Sequence, residues 1–219
     1  MINSVFFDLD GTISNSFEGI SNGILYALEK LGAPLPPRES LASFLGPPLF
    51  DEFKRVFGFD DDTAREAVRL YRVYYPEKGI YEQTPIEGAL ELLKGLRALG
   101  IKICLATSKP LAYAEKIIPM FGFSEYFGGI YGASLDGKIS AKADVIALAL
   151  RESASLPETT LMVGDRFYDV EGAHACKVRC AGVLSGFGCR REFEDCGADF
   201  IAENLLDVFQ IVKEENGLA

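Results

Sequence analysis

Two aspartates lie one residue apart directly after an apolar run near the start of the chain. The run is Val5-Phe6-Phe7-Asp8-Leu9-Asp10-Gly11-Thr12. Side chains two residues apart on a strand point to the same side, so we expect Asp8 and Asp10 to converge just past a strand's carboxyl end. Such carboxylates disfavour each other's ionisation unless a cation intervenes, and Mg²⁺ prefers oxygen ligands together with phosphate. The pattern favours metal-assisted chemistry on a phosphate over an ordinary Asp-Gly turn.

Gly11 and Thr12 add groups that suit an anion next to these carboxylates. Gly11 lets the backbone turn sharply and expose N–H groups, and Thr12 supplies a hydroxyl donor. Thr107-Ser108 follow another apolar run and offer hydroxyls and N–H groups at a predicted helix start, where phosphate oxygens bind well. A simple helix cap uses the same residue types, so both interpretations stay open for this pair.

Charged groups further along the chain complete a possible phosphoryl-transfer site. Lys142 opens a predicted helix, where the macrodipole disfavours a cation, so we expect either solvent exposure or a functional role. Lys138 is a rival, but it follows the pair Asp136-Gly137 and is predicted to lie at a hairpin tip. A later apolar run ends in Gly-Asp, so Asp165 can donate a third carboxylate to a metal, and Asp169 follows four residues on.

Composition describes a globular chain and excludes several classes of function. The chain has 219 residues, 48% of them hydrophobic, with a net charge of −10 and a pI near 4.7. Nucleic-acid and anionic-membrane binders carry basic surfaces, so neither partner is expected. Five cysteines without a C-x-x-C pair and a single histidine disfavour a zinc site and favour reduced thiols. With no signal-peptide pattern and no long apolar run, a cytoplasmic location is expected.

Short apolar runs alternate with helical patterns through most of the chain. Strands are predicted over residues 4–9, 102–107, 160–164 and 179–183, and helices over 87–99 and 144–150. This alternation is typical of an α/β fold, in which a Rossmann-like parallel sheet is flanked by helices and ligands bind at the carboxyl ends of the strands. The polar groups described above fall at those ends.

The segment 14–84 interrupts the alternation and is predicted to form an inserted all-helical cap, which leaves 1–13 and 85–219 as the α/β core. Its first helix carries the apolar face Ile20, Ile24, Leu28 and Leu31 and is predicted to end near Gly32. Between the cap helices, Gly46-Pro47-Pro48 is predicted to form a rigid turn that could line a cleft.

The last predicted cap helix, 62–75, has an apolar, tyrosine-containing stripe that we interpret as cap core. Arg65, Arg69 and Arg72 form a row on its other side. This row could bind phosphate, but Asp61 and Glu66 lie at helical pairing distance, so a solvated face of ion pairs is the favoured interpretation.

The motifs D-x-D-G-T, a Thr after the second core strand, a downstream Lys and G-D-x-x-x-D, in this order, resemble the haloacid dehalogenase superfamily. The resemblance covers nearly the whole chain and is to the phosphatase branch that has a helical cap inserted after the first strand. Within that branch the chain is most similar to the phosphoglycolate phosphatase-like and 5′-nucleotidase-like group. Thr107-Ser108-Lys109 departs from the Thr-Asn-Lys of many phosphoglycolate phosphatase-like sequences, which keeps the Thr role and leaves the substrate open.

The resemblance implies an Mg²⁺-dependent phosphatase acting on small phosphate monoesters. Asp8 would be the nucleophile that forms an aspartyl-phosphate, and Asp10 would protonate the leaving alcohol and then activate water. Asp8, the backbone carbonyl of Asp10, and Asp165 would hold the metal, with Asp169 behind them or reaching it through water.

The same resemblance assigns the phosphate ligands. Thr107 and Lys142 would complete the catalytic set by neutralising the phosphoryl oxygens, together with N–H groups near Gly11 and Ser108, and Lys109 would assist. Phosphoglycolate and nucleoside 5′-monophosphates are the expected substrate classes, and phosphotyrosine is a further one. A sugar phosphomutase and a non-catalytic binding protein on the same fold are the alternatives, and a monomer or homodimer is expected.

Overall fold

A six-stranded parallel sheet forms the centre of the larger of two compact units in this computed structural model, which describes residues 1–135 and 138–218. The larger unit comprises Met1–Ser14 and Pro85–Ala219, and the smaller one comprises Asn15–Thr84. The strands of the sheet are β1 (Ser4–Phe7), β4 (Lys102–Pro110), β5 (Gly129–Ala133), β6 (Thr160–Gly164), β7 (Arg179–Val183) and β8 (Phe200–Ala202). Their order is β5-β4-β1-β6-β7-β8.

The central strands are apolar on both faces because the sheet is covered on both sides. All four residues of β1 and all five of β6 are buried. The flanking helices are α4 (Ala89–Ala98), α5 (Leu111–Met120), α6 (Lys142–Ser153), α7 (Phe167–Ala175), α8 (Arg190–Asp195) and α9 (Leu205–Glu215). Continuous apolar runs of this kind are typical of a parallel sheet between helices. The predicted α/β class is confirmed.

Two elements of the sheet differ from the prediction near the polar motifs. β1 ends at Phe7, two residues earlier than predicted, because Leu9 C=O accepts N–H bonds from Thr12, Ile13 and Ser14 in a tight turn. β4 continues through Thr107-Ser108 to Pro110, so these residues do not start a helix as predicted. Its pairing with β5 shifts register there, which lets the strand continue through a bulge.

The smaller unit contains three α-helices, α1 (Phe17–Leu31), α2 (Leu49–Phe57) and α3 (Asp61–Tyr74), and two 3-10 segments, Arg38–Phe44 and Gly79–Tyr81. Gly32, in a left-handed conformation with φ of 67°, ends α1 at the predicted place. The tyrosine stripe packs inside this unit: Tyr71 and Tyr75 are buried, and a side chain at Gly23 of α1 would collide with the Tyr71 ring. Two short strands, β2 (Ser14–Asn15) and β3 (Thr84–Pro85), pair where the chain passes between the units.

Three further expectations concern the cysteines, the lengths of the helices and Lys138. All five cysteines are free thiols, and Cys104 is fully buried in the core. Within residues 1–135 and 138–218, the helices are too short or too polar for any of them to cross a lipid bilayer. The predicted Asp136-Gly137 turn lies outside the described residues, while Lys138 next to it is exposed.

Candidate active site

The polar motifs are brought together by three neighbouring strands of the sheet. β1 pairs in parallel with β4 on one side and with β6 on the other. Asp8 follows β1 directly, Thr107 lies near the end of β4, and Asp165 follows β6 directly. Because parallel strands end at the same edge of a sheet, these three residues lie side by side at the carboxyl edge.

A tight turn after Asp8 brings the backbone close to the second motif. Gly11 has φ of 82°, a conformation that favours glycine, and its N–H donates to Ser14 C=O at 2.7 Å. A Cβ built on Gly11 would lie 2.0 Å from Asp165 Oδ2. Only glycine therefore allows this turn to pass so close to the carboxylate of Asp165.

Lys142 joins two carboxylates inside the site. Its Nζ lies 2.7 Å from Asp8 Oδ1 and 2.8 Å from Asp169 Oδ1, and it donates to Ala106 C=O at 3.1 Å. The side chain is only 5% exposed. Burial lowers the pKa of Lys142, but the charges of Asp169 and Asp8 outweigh it and raise that pKa, so the lysine is a cation.

The carboxylate of Asp165 is fully buried and is held by groups from two other segments. The Thr12 hydroxyl donates to its Oδ1 at 3.3 Å, and the N–H of Phe187 donates to its Oδ2 at 2.9 Å. Burial raises its pKa well above the usual range, and the charges of Asp169 and Asp8 raise it further. A buried carboxylate in this state favours either a proton or a metal cation.

Asp8, Asp165 and Asp169 form one group of possible metal ligands. Their ligand oxygens lie within 4.8 Å of one another, and all three side chains are buried. The pKa of Asp169 is raised to about 6, because burial and the charge of Asp8 together outweigh the opposing charge of Lys142. Three carboxylates and one ammonium leave two uncompensated negative charges when all are ionised. A divalent cation that prefers oxygen ligands fits this charge and this donor set.

The side chain of Asp10 lies outside that group. Both of its carboxylate oxygens pair with Lys109 Nζ, at 2.9 and 2.8 Å, and Lys109 is buried. This position leaves only the backbone carbonyl of Asp10 for the predicted metal role. It also keeps its carboxylate separate from Asp8, whose charge is paired with Lys142.

Thr107 is buried beside this pair, and its Oγ1 accepts the N–H of Lys109 at 3.1 Å. Its hydroxyl proton is then directed toward another acceptor. Ser108 lies next to it in the bulge of β4 instead of at a helix N-terminus.

The arginine row of α3 lies on the surface of the smaller unit. Arg65 and Arg69 are exposed and pair with Asp61 at 3.4 Å and with Glu66 at 2.6 Å, as the spacing predicts. Arg72 is exposed as well. The Gly46 turn is an irregular bend before α2.

Sequence reasoning missed two groups that position the site. Phe187 lies between Gly186 and Gly188 after β7, and a Cβ on either glycine would approach Asp165 atoms to 2.3 and 2.1 Å. Two glycines flanking one residue just past a strand end were a usable signal for a close approach. Glu192 of α8 accepts the N–H of Phe167 at 2.8 Å and so holds the start of α7, but its sequence gives no such signal.

Comparisons with known proteins agree with this geometry. Residues 5–183 match the family model described as haloacid dehalogenase-like hydrolase. A 5′-nucleotidase of Pseudomonas aeruginosa is 40% identical over 189 residues, which cover 86% of each chain. Tyrosine-protein kinase PtkA of Mycobacterium tuberculosis is 39% identical over 87% of this chain, which spans 65% of that protein. The crystal structure of a predicted phosphatase from Clostridium acetobutylicum superimposes with a TM-score of 0.93 at 37% identity, covering 98% of this chain and 99% of the other.

These matches confirm the family that the four motifs predict, and they confirm the enzyme class, a phosphatase of that family. They extend over the core motifs and the inserted segment together, since the matched region begins in β1 and ends in β7. The chain belongs to the haloacid dehalogenase-like hydrolase family.

Proposed function

We propose that this enzyme hydrolyses small phosphate monoesters in an Mg²⁺-dependent reaction that passes through a phosphorylated Asp8. The observation that carries the proposal is the arrangement of Asp8. Its carboxylate lies at the carboxyl edge of the sheet, paired with Lys142 at 2.7 Å, in one buried group with Asp165 and Asp169. A nucleophilic carboxylate needs a cation nearby to stabilise the phosphoryl charge, and the Lys142 ammonium lies next to Asp8.

In the first step, a carboxylate oxygen of Asp8 attacks phosphorus. A bond forms between that oxygen and phosphorus, and the bond from phosphorus to the ester oxygen breaks. Asp10, in its protonated form, gives its proton to the departing alkoxide. Lys142 and the Thr107 hydroxyl stabilise the charge on the equatorial phosphoryl oxygens.

In the second step, water attacks the phosphorus of the aspartyl-phosphate and Asp10 accepts one proton from it. The bond between Asp8 and phosphorus breaks, inorganic phosphate leaves, and Asp8 returns to its carboxylate form. Asp10 thereby ends the cycle protonated, which is the form needed for the next ester. Lys109 Nζ contacts Asp10 Oδ2 at 2.8 Å.

Asp8, Asp165 and the carbonyl of Asp10 would hold Mg²⁺, with Asp169 behind them. The outer position is consistent with the contacts of Asp169, whose Oδ2 accepts the Arg166 N–H at 3.1 Å and whose Oδ1 lies 2.8 Å from Lys142 Nζ. When bound, the metal would neutralise charge on the phosphate and on Asp8.

Phosphoglycolate and nucleoside 5′-monophosphates are the proposed substrate classes, and the 40% identical 5′-nucleotidase favours the nucleotides. The relative called a tyrosine-protein kinase adds phosphotyrosine to the esters worth testing. Free thiols throughout the chain support a cytoplasmic location.

The test is phosphate release from phosphoglycolate, nucleoside 5′-monophosphates, sugar phosphates and phosphotyrosine, with Mg²⁺ and with EDTA. Asp8→Asn is the site variant, and Asp144→Asn, on the exposed face of α6, is the matched control. We expect release that needs both Mg²⁺ and Asp8, and that Asp144→Asn retains. Radiolabelled ester should leave label on wild-type protein that hydroxylamine removes, as it does from an acyl phosphate.

Three other results would contradict the proposal. Release that persists in Asp8→Asn would remove the nucleophile from the mechanism. Conversion of a sugar phosphate to its isomer without phosphate release would favour the phosphomutase. Absence of turnover with every ester, together with intact Mg²⁺ binding, would favour a binding protein on this fold.

A further inference from the structure

Lys109 is a buried cation to which the resemblance assigns only an assisting role at the phosphate. Its side chain is 4% exposed, and its Nζ contacts both oxygens of Asp10, at 2.9 and 2.8 Å. Lysine is rarely buried to this degree unless it is paired. Within the described residues, no other cation pairs with the Asp10 carboxylate. The two lysines therefore contact different aspartates of the D-x-D motif: Lys142 pairs with Asp8, and Lys109 pairs with Asp10.

A bulge in β4 directs the Lys109 side chain toward Asp10. Thr107 pairs with Gly132 and Pro110 pairs with Ala133, so Ser108 and Lys109 are additional residues on β4. A bulge of this kind bends a strand and redirects a side chain, and bulges are frequent next to active sites. The neighbouring strand accommodates it through Gly132, since a Cβ there would lie 2.7 Å from Lys109 C=O.

Lys109 contacts the site through its backbone as well. Its N–H donates to Thr107 Oγ1 at 3.1 Å, so the residue fixes the hydroxyl orientation of Thr107 with its backbone and the carboxylate of Asp10 with its side chain. Two donors on one residue thus fix two groups, a proposed phosphate ligand and the proposed acid and base.

We propose that Lys109 is a positioning residue for proton transfer: its bidentate contact holds the Asp10 side chain in the orientation from which it protonates the leaving alcohol. The inference rests on the proposed function, because it assigns a role in that reaction. Asp10 is 15% exposed and lies at the start of the tight turn that follows β1, so without the Lys109 contact its side chain can adopt other staggered rotamers. A general acid displaced by about 1 Å loses much of its effect.

Leaving-group dependence separates this role from a structural or phosphate-binding one. An alkyl phosphate needs a proton on its leaving oxygen, whereas p-nitrophenyl phosphate releases a stable anion that does not. We compare kcat/KM because it includes every step up to departure of the leaving group. The ratio of the two values in one preparation is independent of the fraction of correctly folded enzyme.

The variants are Lys109→Met, Lys109→Arg, Asp10→Asn and the double variant that combines Lys109→Met with Asp10→Asn. Lys116→Met, on the exposed face of α5, is the control. We expect Lys109→Met to lower kcat/KM at least tenfold more for the alkyl ester than for p-nitrophenyl phosphate. Lys109→Arg should restore part of the difference, since a guanidinium also holds a carboxylate through two donors. In the Asp10→Asn background, Lys109→Met should add no further discrimination.

Equal losses on the two esters would overturn the inference, and so would a rise in KM alone on both, which a phosphate ligand would give. Either result leaves the proposed function intact if wild-type hydrolysis still requires Asp8. If the wild-type enzyme hydrolyses no ester at all, the proposed function fails and the positioning role fails with it.

Discussion

Replacing Lys142 with Met should strongly destabilise the metal-free protein. The Lys142 ammonium lies 2.7 Å from Asp8 and 2.8 Å from Asp169, and the side chain is 5% exposed. Met keeps the packing of the aliphatic stem, which runs against Gly172, where a Cβ would lie 2.7 Å from Lys142 Cγ. The substitution therefore removes the charge and little else, and it leaves three carboxylates in the buried group without a cation.

Removing one partner of a buried ion pair costs about 3–5 kcal/mol, because the other partner stays buried and unpaired. For a chain of this size each kcal/mol lowers the unfolding temperature by about 2–4 °C, so we expect a decrease of roughly 6–20 °C. Mg²⁺ should reverse much of this loss, since binding to the native state alone stabilises it. The Mg²⁺-induced rise should be larger in Lys142→Met than in wild type, because the variant site carries one more negative charge.

Differential scanning calorimetry in EDTA and in Mg²⁺ measures both quantities. The chain forms two compact units, so the transition that responds to Mg²⁺ is the one to compare. Lys116→Met, which removes an exposed lysine from α5, controls for the change in net charge. An unchanged unfolding temperature in EDTA would refute the reasoning. A large decrease that Mg²⁺ does not reverse would show lost packing instead of lost charge.

Three further predictions follow from the geometry. Asp165→Asn should raise the unfolding temperature in EDTA and abolish the Mg²⁺-induced rise. Because burial raises the pKa of Asp165, the wild-type carboxyl stays protonated in the folded state near pH 4 but is already partly ionised in the unfolded state, and its cost to stability grows as the pH increases. The rise in unfolding temperature caused by Asp165→Asn should therefore be small at pH 4 and largest at pH 7. Gly11→Ala should reduce Mg²⁺-dependent hydrolysis by a factor on the order of 100 or more, since its Cβ would lie 2.0 Å from Asp165 Oδ2. The control is Gly100→Ala, at a φ of 74° with open space around it, which should lower the free energy of unfolding by only about 1 kcal/mol and leave the activity unchanged. Ala154→Gly should stabilise the protein by about 0.5–1 kcal/mol in urea unfolding, because Ala154 is exposed and holds φ of 51° after α6.

The elements that local signals specify were predictable from the sequence. β6 spans the predicted residues 160–164, since an apolar run ending in Gly-Asp identifies both the strand and its end. α1 ends at Gly32 because a left-handed cap needs glycine. By contrast, β5 contains two glycines in five residues and β8 has only three residues, so neither carries the apolar run that indicates a strand.

Contacts between distant segments were not predictable in the same way. The sequence identifies Asp10 and Lys109 as polar residues near strand ends, but their ion pair spans 99 positions and depends on the bulge in β4. A bulge is a property of the pairing between two strands and leaves no pattern in one of them. The bond from Phe187 to Asp165 depends in the same way on how the segment after β7 folds back.

The charges of this site also explain how a chain of net charge −10 can act on an anion. Asp8, Asp165 and Asp169 outweigh Lys142, so the metal-free site carries a negative charge and repels a phosphate dianion. A bound divalent cation would cancel that excess, so a phosphate dianion would no longer be repelled. In the proposed mechanism, bound metal would therefore favour binding of the ester. The buried carboxylates that make the metal-free fold less stable are the same groups that would bind the metal.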